Sequence, residues 1–451
     1  MSDLRTKVRM LFREFLEWLE VNRRAMIEHG KTLLIILLFL SAFFLAEKTG
    51  LFGGEEQLAA VKEKIASVLR GSDGNGSLLS DREYAEAAIP LVMTISPEAG
   101  TRYAVTYSAE VEPIFHRFSA YLGEALGSAG IPETVTRAEW ERAVSGKGVF
   151  FDYVYPQNLR CIAAWQGTDV PAAAGSHYAR RLFLAVETTG VTLYYIADDT
   201  DVIYRCGTAL AEKAMETHLT VYQSNNASFA FENETYAALD PDTVILPGAS
   251  EVRSVSVTNP GAAVNAEEVL HLFGMNYITA SYYLENDGSM VYLDGDSTLR
   301  IGTDGVIHFE RGDGEGSAPE EWEGMVSLPD VVDGLLQTTE KLVKETAGDG
   351  GITLTQASYR QQQEEYTVTF DYSVDGMRVC LPMGSAAEYT VSEGMITSAV
   401  VRLRQYQLTG ETQTPLPIVQ AAALVAASGG REPVQVYRDT GDSVTVSWMM
   451  Q

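Results

Sequence analysis

The sequence predicts an α+β protein with a single N-terminal transmembrane helix and a multi-domain extracytoplasmic part containing two similar modules of helix plus antiparallel β-meander. Three observations carry this expectation. An uncharged run, TLLIILLFLSAFFLA, fills Thr32 to Ala46. Helix-period and strand-period segments mix from Leu78 onward. Two later stretches repeat one order of helix, short strands and glycine turns. A length of 451 residues leaves room for about three domains of about 150 residues each.

Charge narrows the class of partner. Acids outnumber bases 61 to 33, a net charge of −28, whereas a nucleic-acid binder needs a concentrated basic face to neutralise phosphates. The excess reads as a solvated, self-repelling surface. The three cysteines, Cys161, Cys206 and Cys380, sit far apart in apolar settings such as RCIAAW and RVCLP, with no disulfide framework and no CxxC pair, so they read as buried thiols.

Residues 1–31 come first. Leu4, Val8, Leu11, Phe15 and Trp18 recur at spacings of four and three, widened by Phe12, Leu16 and Leu19, which predicts an amphipathic helix. Such a helix lies on the cytoplasmic leaflet or binds a helical partner. The expected anchor spans 32–52. Leu33 to Phe52 is close to the roughly 20 residues that a bilayer requires, provided Lys48 reaches back to the headgroups. Leu33, Leu34, Leu37, Leu38, Leu40, Phe43 and Phe44 would meet lipid or a partner helix. A cleaved signal peptide is the rival reading, but 31 residues precede the run and LFLSAFFLAEK holds no small-x-small site, which favours an uncleaved anchor.

Orientation follows from the flanks. Seven bases against five acids precede the span, a net +2, leaving −30 for the remainder. Lys and Arg resist translocation, so the N-terminus is expected in the cytoplasm and the bulk of the chain outside the cell membrane. Residues 53–77 are expected to form a juxtamembrane stalk, EEQLAAVKEKIASVLR, and a GSDGNGS hinge.

The first outer domain is expected over 78–247. Ile114, Phe115, Phe118, Tyr121, Leu122 and Leu126 predict a helix over Glu112–Ala129, and Arg137–Val144 continues in helix behind Pro132. Strands are expected at Gly148–Tyr155, Arg181–Glu187, Val191–Ala197 and Val202–Arg205, then a helix around Leu210–His218.

The first meander module is expected over 248–325 and the second over 326–451. In the first, a helix at Ala266–Phe273 leads to strands joined at Asp287-Gly288, Asp294-Gly295 and Asp304-Gly305. In the second, a helix at Asp330–Thr346 leads to strands joined at Asp375-Gly376, Met383-Gly384 and Glu393-Gly394. From first to third turn glycine the spacing is 17 residues in one copy and 18 in the other. A helix-flanked calcium loop would need oxygen ligands at alternate positions and a bidentate Glu at the twelfth. Here the flanks are β-formers, and Asp-Gly between alternating β-formers is a hairpin signal because both central residues tolerate positive φ. The carboxylates are expected to be structural.

Catalytic motifs do not emerge from the chain. His29, His116, His177, His218, His271 and His308 are scattered, and there is no HExxH, GxSxG, Walker loop or GxGxxG, so neither a cofactor nor a resident metal is implied. Asp198, Asp199 and Asp201 read as a solvated turn or a cation site. A glycosidase-type carboxylate pair stays open, since its separation of about 5–9 Å is made by the fold.

Two stretches carry a family resemblance. HLFGMNYITASYYLENDGSMVYLDGDSTLRIGTDGVIHFE, together with one N-terminal span and an outer part in three portions, resembles the YycH family of Gram-positive bacteria. DYSVDGMRVCLPMGSAAEYTVSEGMI resembles the corresponding module of that family and of its sister, YycI. The resemblance implies three mixed domains and a non-enzymatic role, modulating the sensor histidine kinase of the cell-wall two-component system by contacts in and outside the membrane. A YycI-like protein is implied as a further partner, and no catalytic residue is implied. Two other readings stay open, an extracytoplasmic ligand-binding module and a cell-envelope remodelling hydrolase.

Overall fold

A computed structural model of the chain describes residues 87–248, 251–312, 327–428 and 432–450, all within the unit Asp81–Gln451. The expected amphipathic helix, anchor and stalk, including Leu33 through Phe44, lie outside those residues. Among the described helices none is long and apolar enough to cross a membrane.

The first sheet has seven antiparallel strands: β1 (Val92–Ser96), β2 (Tyr103–Thr106), β3 (Glu133–Val135), β4 (Gly148–Asn158), β5 (Tyr178–Glu187), β6 (Gly190–Ala197) and β7 (Ile203–Gly207). Their order is β2-β1-β4-β5-β6-β7-β3. Strand alternation sends Val149, Phe151, Leu182, Leu184, Leu193 and Tyr195 to one face. That face is covered by α1 (Val111–Gly127) and α3 (Leu159–Trp165). Ile114, Phe115, Phe118, Leu122 and Leu126 are the buried stripe of α1. Phe150, Phe183, Ala185 and Tyr194 point the other way, onto Trp140 and Val144 of α2 (Arg137–Val144). That helix starts at a capping box in which the Thr136 side chain accepts from the Glu139 N–H and the Glu139 carboxylate accepts from the Thr136 N–H.

The helix expected around Leu210–His218 shrinks to one turn, α5 (Glu216–Leu219), following the short α4 (Ala172–Gly175). The cause is a competing strand-type bond. The Leu210 carbonyl accepts from the Val191 N–H at 3.0 Å, and Leu210, Met215 and Leu219 then fix an irregular loop on the core.

A small ribbon, β8 (Ser228–Phe229) with β9 (Val244–Ile245), leads to β10 (Val252–Thr258). After α6 (Ala266–Leu272) come β11 (Ser281–Leu284), β12 (Met290–Asp294), β13 (Ser297–Ile301) and β14 (Val306–Glu310). After α7 (Leu328–Val343) come β15 (Gly351–Arg360), β16 (Glu365–Val374), β17 (Met377–Cys380), β18 (Ala387–Ser392), β19 (Met395–Arg402) and β20 (Gln405–Gln413). The chain closes with α8 (Ile418–Ser428), β21 (Pro433–Asp439) and β22 (Val444–Met450).

β14 pairs with β19, so β11–β14 share one eleven-stranded sheet with β15–β19, β21 and β22, with β11 at one end and β22 at the other. Helix α7, started by a Ser327/Asp330 capping box, lays Val331, Val332, Leu335 and Leu336 against this sheet. Thr339 Oγ1 meets the buried Tyr389 hydroxyl at 2.9 Å. One apolar core runs from Ala87 to Val444 through both sheets. β17 pairs parallel to β21, which brings the C-terminal hairpin onto the sheet.

The glycine turns divide into two kinds. Asp375 and Gly376 sit at φ 53° and 75°, and Glu393 and Gly394 at 53° and 74°, each pair forming a two-residue loop with both residues left-handed. In the first meander only the glycines are left-handed: Gly288 (89°), Gly295 (58°) and Gly305 (78°). Gly288 and Gly305 are fourth residues of turns closed to Glu285 and Gly302. The Asp294/Ser297 pair makes the second loop Gly295-Asp296 rather than Asp294-Gly295. Both positive values at an Asp-Gly pair therefore hold for one hairpin of the four: the loops at Gly288 and Gly305 are three residues long, and the one at Gly295, though of two residues, is shifted by one so that the glycine comes first. The Asp side chains serve the backbone: Asp287 Oδ1 accepts from the Ser289 N–H at 2.9 Å, and Asp304 Oδ1 from Val306 at 3.2 Å.

Candidate functional site

The residues singled out by sequence are not brought together. Asp198, Asp199 and Asp201 form the turn between β6 and β7. His177 Nδ1 lies 2.7 Å from the Tyr195 hydroxyl and His218 Nδ1 lies 2.9 Å from that of Tyr121. Cys161 and Cys206 are buried and Cys380 is half-buried; burial pushes the Cys206 thiol up to about 11. Among the described residues no group of three or more His, Cys, Asp or Glu is placed to hold a metal ion.

The densest polar arrangement lies elsewhere, in residues that sequence reading passed over. Arg181, in the middle of β5, donates to four carboxylates: Asp152 at 3.0 Å, Asp240 at 2.6 Å, Asp242 at 3.3 Å and Glu432 at 2.5 Å. Arg180 also contacts Asp152 and Glu432. Arg137 clasps Asp242 with two bonds of 2.8 and 2.6 Å, and Trp140 Nε1 adds a third at 2.8 Å. Asp242 is 1% exposed and Arg181 5%, so these charges are held by one another rather than by water. The available signal was the pair of adjacent arginines inside the apolar strand YARRLFLAVE, since a charge on a buried strand needs a partner.

This cluster joins three remote segments: β4 and β5, the loop Asp240–Asp242, and Glu432 just before β21. Burial alone would raise the Asp240 carboxyl, but Arg181 and the Asp242 N–H outweigh it and hold the group below its ordinary 3.8. A depressed folded value means that the Asp240 charge stabilises the fold above 3.8 and that the contribution fades as pH falls through the folded value. Asp240→Asn is thus expected to melt below the parent at neutral pH, with the gap closing on acidification. Melting curves across that range check it, and a gap independent of pH would refute the assignment.

Beside the cluster lies a cleft of about 530 Å³, bounded by β2, by the start of β10, and by β21 and β22. Tyr103, Val105, Tyr107, Leu246, Leu416 and Trp448 supply its apolar walls. Asp152 and Glu432 are part of its lining, already bound by Arg180 and Arg181, while Glu110 and Glu251 stand at exposed positions around it. β2 is one edge of the first sheet, and Asn225 caps it: its carboxamide accepts from the Ala104 N–H at 3.0 Å and donates to the Ala104 carbonyl at 2.7 Å. Two backbone outliers border the region. Tyr107 has φ 44° and the β-branched Val154 has φ 65°, the latter held where its N–H donates to Asp152 Oδ1 at 2.7 Å.

Known proteins give one informative comparison. No family model and no curated protein matches the sequence. Among solved structures, the crystal structure of YycH from Bacillus subtilis superposes with a TM-score of 0.53, at 10% sequence identity, covering 82% of this chain and 96% of that one. At that identity the likeness is one of fold: the chain has a YycH-like fold of mixed α and β structure.

Proposed function

We propose that this chain is a membrane-anchored, non-enzymatic accessory regulator that modulates a sensor histidine kinase of the cell-wall two-component system through transmembrane and extracytoplasmic contacts. The observation that carries the reading is the YycH-like fold across 82% of the chain, reached independently of the sequence resemblance in the two meanders. Leu33, Leu34, Leu37, Leu38, Leu40, Phe43 and Phe44 are the proposed membrane contacts, and the outer unit is the proposed extracellular contact. Such a regulator acts only through a difference in affinity for two kinase states.

Crosslinking in membranes tests this, comparing the full chain with a version whose 32–52 span is replaced by an unrelated one. Capture of a sensor kinase that requires the native span is the expected outcome. Capture that survives the exchange moves the contact to the outer unit, and failure to capture any kinase refutes the reading.

The cleft favours a second reading, an extracytoplasmic ligand-binding module. Its size lies within the roughly 300–1,000 Å³ of small-molecule sites, and its apolar walls with converging polar groups suit a ligand of mixed character. A wall-derived ligand held there would give a regulator something to sense.

A further inference from the structure

We propose that the outer edge of β11 is a docking strand that accepts an extended segment of a partner protein, apolar in its middle and carrying Lys or Arg at its ends. The hydrogen-bond parity of the edge is explicit. The Glu285 N–H donates to the Ser289 carbonyl, so in the antiparallel register Ser281, Tyr283 and Glu285 turn their main chain toward β12. Tyr282 and Leu284 therefore turn their N–H and C=O groups outward, at the end of the eleven-stranded sheet. No described residue covers that edge, and soluble proteins ordinarily blunt such edges with charge, proline or a bulge.

Here the edge is apolar. Ile278 is 91% exposed, Tyr282 68%, Leu284 65% and Tyr283 50%. The Tyr282 ring lies 5.9 Å from that of Tyr292, whose other tyrosine neighbour, Tyr277, is also exposed. Aromatic groups in water beside unpaired main chain match strand addition, in which backbone bonds give affinity and side-chain contacts give specificity.

Charge selects the occupant. From Ala266 to Asp296 there are six carboxylates, Glu267, Glu268, Glu285, Asp287, Asp294 and Asp296, and no Lys or Arg. Arg300 pairs with Glu285 and Asp287 past the Leu284 end of β11, which leaves one negative charge there, and Asp294 and Asp296 stand past its Ser281 end, so both ends of the edge are negative, while Glu267 and Glu268 lie away from it in α6. A second copy would set these flanks against their equals in a chain of net charge −28. A basic segment meets them favourably and gains on-rate by steering.

The proposal rests on the regulator reading only in requiring a protein partner. Its test uses the full chain in lipid nanodiscs and two synthetic peptides of alternating Val and Thr, one flanked by lysines and one by glutamates. The lysine peptide is expected to slow hydrogen exchange at the Tyr282 and Leu284 amides and to bind about tenfold more tightly than the glutamate peptide. Leu284→Pro is expected to weaken it by about tenfold, through loss of an outward N–H. Proline is tolerated on an edge where its nitrogen faces solvent, and retained protection at Tyr283 and Glu285 reports the intact β11–β12 ladder. No slowing at those two amides, equal binding by the two peptides, or full-strength binding to Leu284→Pro would each overturn the proposal. So would a dimer of the full chain that Leu284→Pro dissociates, since a second copy would then hold the edge. Kinase capture without peptide binding removes this proposal alone, and peptide binding without kinase capture removes the regulator reading alone.

Discussion

Arg181→Met is expected to destabilise the unit Asp81–Gln451 by about 3–5 kcal/mol, the range for breaking a buried ion network from one side. The side chain is 5% exposed and is shared by Asp152, Asp240, Asp242 and Glu432. Methionine fills much of its volume, so cavity formation is a minor part of the loss. The cost arises because Asp152 and Asp242 stay buried with one arginine fewer, and a buried carboxylate without its partner loses several kcal/mol of solvation that nothing replaces. Adding Asp152→Asn should recover part of the loss, since the amide carries no charge and its oxygen can still accept from the Val154 N–H. Denaturant unfolding of the parent, both single variants and the double variant measures the coupling. A loss under about 1 kcal/mol for Arg181→Met, as for an exposed pair, would refute the picture of a desolvated network.

Local order was legible in the sequence and long-range convergence was not. The stripe Ile114, Phe115, Phe118, Leu122, Leu126 announced α1 because a 3.6-residue period is a local property. A glycine after Asp or Glu between β-formers is a local signal too, and Gly288, Gly305, Gly376 and Gly394 all have positive φ. Leu210–His218 misled because helix formers fill it while a strand-type bond from Val191, about twenty residues earlier in sequence, decides its conformation. Of the charge cluster only the Arg180-Arg181 pair on a buried strand was legible, and its carboxylate partners were not, for a similar cause. Arg181, Asp240 and Glu432 lie in segments that only the tertiary fold brings together, and no spacing rule relates them. The cleft inherits this difficulty, since its walls come from β2, β10, β21 and β22.

Gly376→Ala is expected to cost at least about 3 kcal/mol, which belongs to substitutions with a specific steric cause. Two effects add. At φ 75° the residue is left-handed, and an alanine there pays about 1–2 kcal/mol. An added Cβ would also stand 2.3 Å from the Ser108 carbonyl carbon and oxygen and 2.6 Å from the Ala109 nitrogen. Those atoms are main chain in the turn just before α1, so no flexible side chain can yield. The β16–β17 turn would have to retreat, taking with it Asp375, whose Oδ2 accepts from Arg253 Nε at 2.8 Å. Gly295→Ala separates the two effects, because Gly295 has φ 58° and nothing within 4 Å of its added Cβ. That variant should lose only the conformational part, about 1–2 kcal/mol. Equal losses for the two would mean that the approach of the β16–β17 turn to Ser108 is loose. A larger loss at Gly376 would establish that this hairpin tip is packed against the turn between β2 and α1, so that its glycine is required by contact as well as by turn geometry.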